Sequence, residues 1–77
     1  MPDPDQPALG AAVKIIREEK AISQARLSET TGFRQSWISD VENSRRHPSF
    51  RSVVRLAAGL GVQTSTLIRR AERLAGD

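Results

Sequence analysis

The stretch from Ser23 to Ser49, SQARLSETTGFRQSWISDVENSRRHPS, narrows the folds open to this chain more than any other feature. Ser23 can cap a helix by accepting a hydrogen bond from a first-turn N–H. Ala25, Leu27 and Thr31 are expected to face inward from that helix. Gly32 takes a left-handed conformation without steric cost and so ends the helix in a tight turn, and Phe33 plugs the core behind it. A second short helix is predicted over Gln35–Glu42, with Ile38 and Val41 inward at i, i+3 spacing. Asn43 and Ser44 break it. Its other face carries Gln35, Ser36, Trp37, Ser39 and Asp40, a polar and aromatic set that packing against a core does not call for.

The flanking segments supply the partners for this pair. Leu9, Ala12, Val13 and Ile16 recur at helical spacing, in a helix that Pro7 can open and that ends near Lys20. Residues 1–6 hold two Pro and two Asp and read as a disordered tail. Ser49 caps a fourth helix with Phe50, Val53, Val54, Leu56, Ala57 and Leu60 along one stripe, and Gly61 ends it. Ser65 is the expected cap of a fifth helix carrying Leu67, Ile68, Ala71 and Leu74. No segment alternates with period 2, so the predicted fold is all-α, with five helices in one domain over residues 7–75. A chain of 77 residues buries only about 60% of its unfolded surface, so it needs an efficient core or a partner subunit.

Several function classes are disfavoured at once. The chain has no cysteine and one histidine, which leaves no disulfide framework and no thiolate metal site. There is no Gly-rich phosphate loop and no group of acids at metal-ligand spacing. No catalysis, cofactor, metal or small-molecule ligand is therefore expected. The apolar runs are too short to cross a bilayer, and the start MPDPDQP lacks the layout of a signal peptide, so a cytoplasmic location away from membranes is predicted. The net charge of +3 is modest. Its distribution says more, because Arg34, Arg45, Arg46, His47, Arg51 and Arg55 crowd the middle of the chain. A polyanion would suit them, although a solvated face alone accounts for such a run equally well.

The order and spacing of three blocks then carry a resemblance. LGAAVKIIREEKAISQARLSE, TGFRQSWISDVENSRRHPSF and VVRLAAGLGVQTSTLIRRAE are together similar to the lambda-repressor-like, XRE-type helix-turn-helix family over about residues 9–75. The block WISDVENSRRHPS also resembles the restriction–modification controller branch. The resemblance implies a transcription regulator that lays the helix after the turn into the DNA major groove, its N-terminal residues on base edges. By position these are Arg34, Gln35, Ser36 and Trp37, then Ser39 and Asp40. The Gln35 amide can pair with the adenine N7/N6 edge, and Arg34 can fork onto guanine or hold a phosphate. Asp40 either accepts from a cytosine amine or faces a basic neighbour. Trp37 is expected partly exposed, against sugar-phosphate or a thymine methyl; a tyrosine is common there in the controller branch.

The same resemblance places Gln24, Asn43, Arg45, Arg46 and Ser49 on DNA phosphates, contacts that set register without reading sequence. It pairs Arg17 with Glu42 as a structural tie between the first and third helices. Three positions depart from the family pattern: Arg34 stands where a capping Ser or Thr is usual, and Ala21 and Ser44 replace helix-ending glycines, although Asn43 can take left-handed geometry.

One recognition helix spans few base pairs, so the resemblance also implies a homodimer with two such helices about 34 Å apart on a pseudo-palindromic operator in double-stranded DNA. Val54, Leu67, Ile68 and Ala71 are the expected seam. A role in the core is the alternative for all four and the favoured one for Leu67. Ile15 is a further surplus apolar residue. The rival function is an antitoxin or protein-binding adaptor built on the same scaffold. An antitoxin usually carries a toxin-binding segment, and only three residues follow Leu74.

Overall fold

Among the described residues five helices follow one another: α1 (Asp5–Glu19), α2 (Gln24–Thr31), α3 (Gln35–Glu42), α4 (Phe50–Leu60) and α5 (Thr64–Leu74). The computed structural model describes residues 5–76, and among these there is no strand. The first four residues of the expected tail lie outside the described residues. Asp5 and Gln6 belong to α1 instead, so the helix starts two residues ahead of Pro7. Proline loses no hydrogen bond there, because N–H groups of a first turn have no intrahelical acceptor.

Leu27, Ile38, Leu56, Leu60 and Leu67 are fully buried, one or two from each of α2 to α5, and Val13 joins them from α1. Burying each such side chain contributes about 1.5–3 kcal/mol. Helix α1 lies most extensively along α5 and also crosses α3, while α2 packs on α3 and α4. Gly10 sets the α1–α3 approach: a Cβ there would collide with the main-chain oxygen of Val41. An ion pair also joins α1 to α5, with Arg70 Nη1 and Nη2 donating to Glu19 at 3.1 and 3.3 Å.

The helix ends follow one scheme. Ser23 Oγ accepts from Arg26 N at 3.0 Å, and Ser49 Oγ accepts from Ser52 N at 3.2 Å. Gly32 (φ 81°) and Gly61 (φ 73°) supply left-handed ends for α2 and α4. Ala21 (φ 56°) and Ser44 (φ 61°) do the same for α1 and α3. There Ile22 N bonds Arg17 O at 2.9 Å and Arg45 N bonds Asp40 O at 2.7 Å, closing the six-residue ring that a left-handed cap permits. The left-handed residue after α3 is thus Ser44, and Asn43 stays at φ −96°, because the ring to Asp40 O closes through the residue just before Arg45.

Three expectations about faces and caps are corrected. Ala25 is exposed, since it lies two residues, about 200°, from the buried Leu27. Phe50 is 74% exposed; it starts α4, and the stripe that reaches the core begins one turn later at Val53. The cap position of α5 is held by Gln63 rather than Ser65, without a side-chain cap bond. Thr66 N and Leu67 N both bond Gln63 O, which fixes the first turn ahead of Ser65.

Candidate nucleic-acid interface

The turn between α2 and α3 is tied by its own side chains. Gly32 N donates to Ser28 O at 2.8 Å, Ser28 Oγ donates to Phe33 O, and Phe33 N donates to Thr31 Oγ1 at 3.2 Å. These bonds aim α3. Its inward side holds Ile38, Val41 and Glu42, all buried. Arg34, Gln35 and Ser36 are exposed at its start, and Trp37, Ser39 and Asp40 are half-buried along its flank. Arg34 occupies the cap position with extended geometry and makes no side-chain cap bond, as its replacement of Ser or Thr implies. The first-turn N–H groups of α3 therefore have no side-chain acceptor from the cap.

Beneath α3 lies a charged network. Arg17 Nε donates to Glu42 Oε2 at 2.8 Å and Nη2 donates to Oε1 at 3.1 Å. Arg17 Nη1 donates to Ile22 O at 2.8 Å, and Gln24 Nε2 donates to Glu42 Oε1 at 2.9 Å. The Glu42 side chain is 2% exposed, and among the described residues Arg17 and Gln24 donate the side-chain hydrogen bonds to its carboxylate. The bond from Arg17 to Glu42 holds the guanidinium above its ordinary pKa, against the burial that would lower it. Forked, charge-assisted geometry of this kind fixes orientation as well as energy. The implied Arg17–Glu42 pair is thus in place, and Gln24, at the first residue of α2, joins it.

The remaining candidate residues sit around the end of α3. Asn43 Nδ2 donates to Ser39 O at 2.9 Å, so Asn43 closes the helix end. Asp40 has a basic neighbour, Arg46, with Oδ2 and Nε 3.9 Å apart. Arg45, Arg46 and Ser49 are exposed on the loop to α4. Trp37 does not project freely. Its ring stacks on Phe33 with centroids 4.2 Å apart and 28° between planes, and the guanidinium carbon of Arg55 lies 5.2 Å from the centroid of Phe33. Sequence reasoning placed Phe33 near the core but missed this stack, because Arg55 lies on α4 and no local spacing links it to the turn.

The expected dimer seam divides in two. Leu67 has no exposed surface and Ala71 only 9%, because α5 turns that side onto α1. They belong to the core. Val54 is 40% and Ile68 36% exposed, and Phe50 and Leu74 add two further exposed apolar side chains. Among the described residues no group of three or more His, Asp or Glu could hold a metal ion, and no helix is long and apolar enough to cross a membrane.

Known proteins are similar to this chain in sequence and in fold. The immunity repressor protein of Bacillus phage phi105 is 32% identical over 78% of the chain, which spans 42% of that repressor. An uncharacterized HTH-type transcriptional regulator, y4dJ of Sinorhizobium fredii, is 32% identical over 78% of both chains. Among solved structures, the restriction–modification controller protein C.AhdI from Aeromonas hydrophila superposes with a TM-score of 0.78 at 27% identity, covering 82% of this chain and 96% of that one. The sequence pattern of the family described as "Helix-turn-helix domain" matches residues 8–71, and with α2, the Gly32 turn and α3 in that order the chain belongs to that family.

Proposed function

We propose that this protein is a sequence-specific DNA-binding regulator of transcription, acting in the cytoplasm as a homodimer on a pseudo-palindromic operator, and that it is a binding protein rather than an enzyme. The observation that carries this reading is the presentation of α3. Its inner side is anchored by Ile38, Val41 and the Glu42 network, while Arg34, Gln35 and Ser36 stand exposed at its start. Named repressors and regulators among the relatives support it, as does the likeness to a controller protein. The restriction–modification controller role is the specific form this likeness favours.

Within this reading Arg34, Gln35, Ser36 and Trp37 meet base edges, with Ser39 and Asp40 one turn on. Gln24, Asn43, Arg45, Arg46 and Ser49 grip phosphates. For Gln24 the role is compatible with its bond to Glu42, since a side-chain amide has two N–H donors and one remains for a phosphate. Val54 and Ile68 belong to the subunit seam, joined by Phe50 and Leu74. Residues 7–75 then form the working domain.

Selection from a random-sequence DNA pool tests the proposal directly. A recovered site with two related half-sites, each protected in footprinting, is the expected result. Recovery of no enriched sequence would sink the reading and favour a protein-binding adaptor. With the site in hand, Gln35→Ala should weaken discrimination at one base pair per half-site by about 1–3 kcal/mol. A uniform loss on every sequence would remove Gln35 from base reading.

A further inference from the structure

Arg55 is exposed, and its guanidinium lies over the ring of Phe33, which in turn stacks on Trp37. We infer that Arg55 is a DNA phosphate-binding residue and that Phe33 is the residue that positions it, through the Arg55–Phe33–Trp37 stack. The inference rests on the reading of α3 as a recognition helix.

Three observations support it. First, a guanidinium resting on an aromatic ring uses its face, and its in-plane N–H donors stay available for an anion. Among the described residues nothing accepts a hydrogen bond from Arg55. Second, its position suits a phosphate. The ring beneath it is the turn residue one before the cap of α3, and that ring touches Trp37 in the first turn. The major groove is about 12 Å wide, so a cation held this close to the first turn of a helix lying in the groove reaches the phosphates on its rim. Third, Arg51 is one helical turn from Arg55 on α4 and is also exposed, which extends the basic loop of Arg45 and Arg46 toward it. Phe33 is itself fixed by the bonds of its N–H and C=O to Thr31 and Ser28. The ring is held in turn by its stack on Trp37, and the arginine above it loses less freedom on binding than an unrestrained one.

The test measures how binding falls with salt, using the DNA duplex recovered by selection with the unaltered protein. Each phosphate neutralised contributes about 0.9 to the slope of log affinity against log salt. Arg55→Gln should lower that slope by about that amount, with a several-fold weaker affinity at moderate salt and no change in which base pairs are preferred. Phe33→Leu keeps an apolar turn residue but removes the ring; it should lower the slope by a comparable amount with the charge still present. Fluorescence of Trp37, the single tryptophan, checks that this substitution has released the stack, through a red shift and lower anisotropy in the free protein. An unchanged slope for Arg55→Gln overturns the phosphate contact. A reduced slope for Arg55→Gln with an unchanged one for Phe33→Leu overturns the positioning role. If the unaltered protein enriches no DNA at all, the recognition-helix reading has failed first, and this inference falls with it.

Discussion

Arg17 and Glu42, 25 residues apart in sequence, meet as a forked ion pair that fastens the last turn of α3 to α1. Gln24 from α2 completes the bonding of the same carboxylate, so one buried charge orders three helices. Replacing Arg17 by Met should leave that carboxylate buried with one amide partner and cost about 3–5 kcal/mol, read as a lower midpoint in urea unfolding. Because the guanidinium pKa is raised in the folded protein, first by its bond to Glu42, its contribution is constant across neutral pH and is lost on the alkaline side only as pH rises above the ordinary arginine range. Stability that varied between pH 6 and 9 in step with this pair would contradict the assignment.

Gly10 should resist the smallest possible change. In an open helix Gly→Ala stabilises by about 0.5–1 kcal/mol. Here the added methyl meets the Val41 carbonyl oxygen, which is backbone and cannot swing aside. Gly10→Ala is expected to destabilise by about 1–3 kcal/mol, seen as a fall in Tm on the order of 10 °C for a domain of this size. A rise in Tm would show that α1 and α3 do not approach this closely.

Ala21 and Ser44 hold left-handed conformations that favour glycine. The steric cost is about 1–2 kcal/mol at each, partly offset by the extra chain entropy that glycine would lose on folding. Ala21→Gly and Ser44→Gly should each stabilise the protein by about 0.5–1 kcal/mol in thermal unfolding. Destabilisation by either would place its turn in a right-handed form.

Arg34→Ser separates stability from function. A serine at the cap can accept from the first-turn N–H groups of α3, which have no such acceptor now. A gain of about 1 kcal/mol in folding stability is expected. DNA affinity should fall at the same time, measured by titration of the selected duplex. Gain in both would mean that Arg34 makes no contact with DNA.

Val54 and Ile68 present the apolar surface proposed for the seam. Val54→Asp should shift sedimentation toward the monomer and weaken operator binding cooperatively, while Leu67→Ala should lower stability by about 2–5 kcal/mol through a cavity in the core. A Val54→Asp protein that sediments as the unaltered one does would move the seam elsewhere.

The two halves of the candidate site differ in how far the sequence exposed them. Gln35–Glu42 is legible to the residue, because Gly32 marks one boundary and Asn43–Ser44 the other. Which of its side chains face outward follows from the same spacing. The role of Arg55 is not legible, since nothing near it in sequence relates it to Phe33. Ile68 and Ala71 make the point at one helix: both read as seam residues with the core as the alternative, yet Ala71 is buried and Ile68 exposed. The choice depends on how α5 is rotated against α1.

By itself, then, the sequence determined the five helices, the Ser23 and Ser49 caps, the Gly32 and Gly61 ends and most of the inward stripes. Each depends on residues within about one or two turns of one another, where backbone geometry alone dictates the outcome. Tertiary structure decided the rest: Gln24 sharing Glu42 with Arg17, Arg55 set over Phe33, Gly10 against Val41, and Phe50 left outside the core. The contacts among these join segments 18 to 31 residues apart, as Gln24–Glu42 and Gly10–Val41 illustrate. They follow from how closely whole helices approach and how much apolar surface remains to cover them, quantities that no local pattern of residues contains.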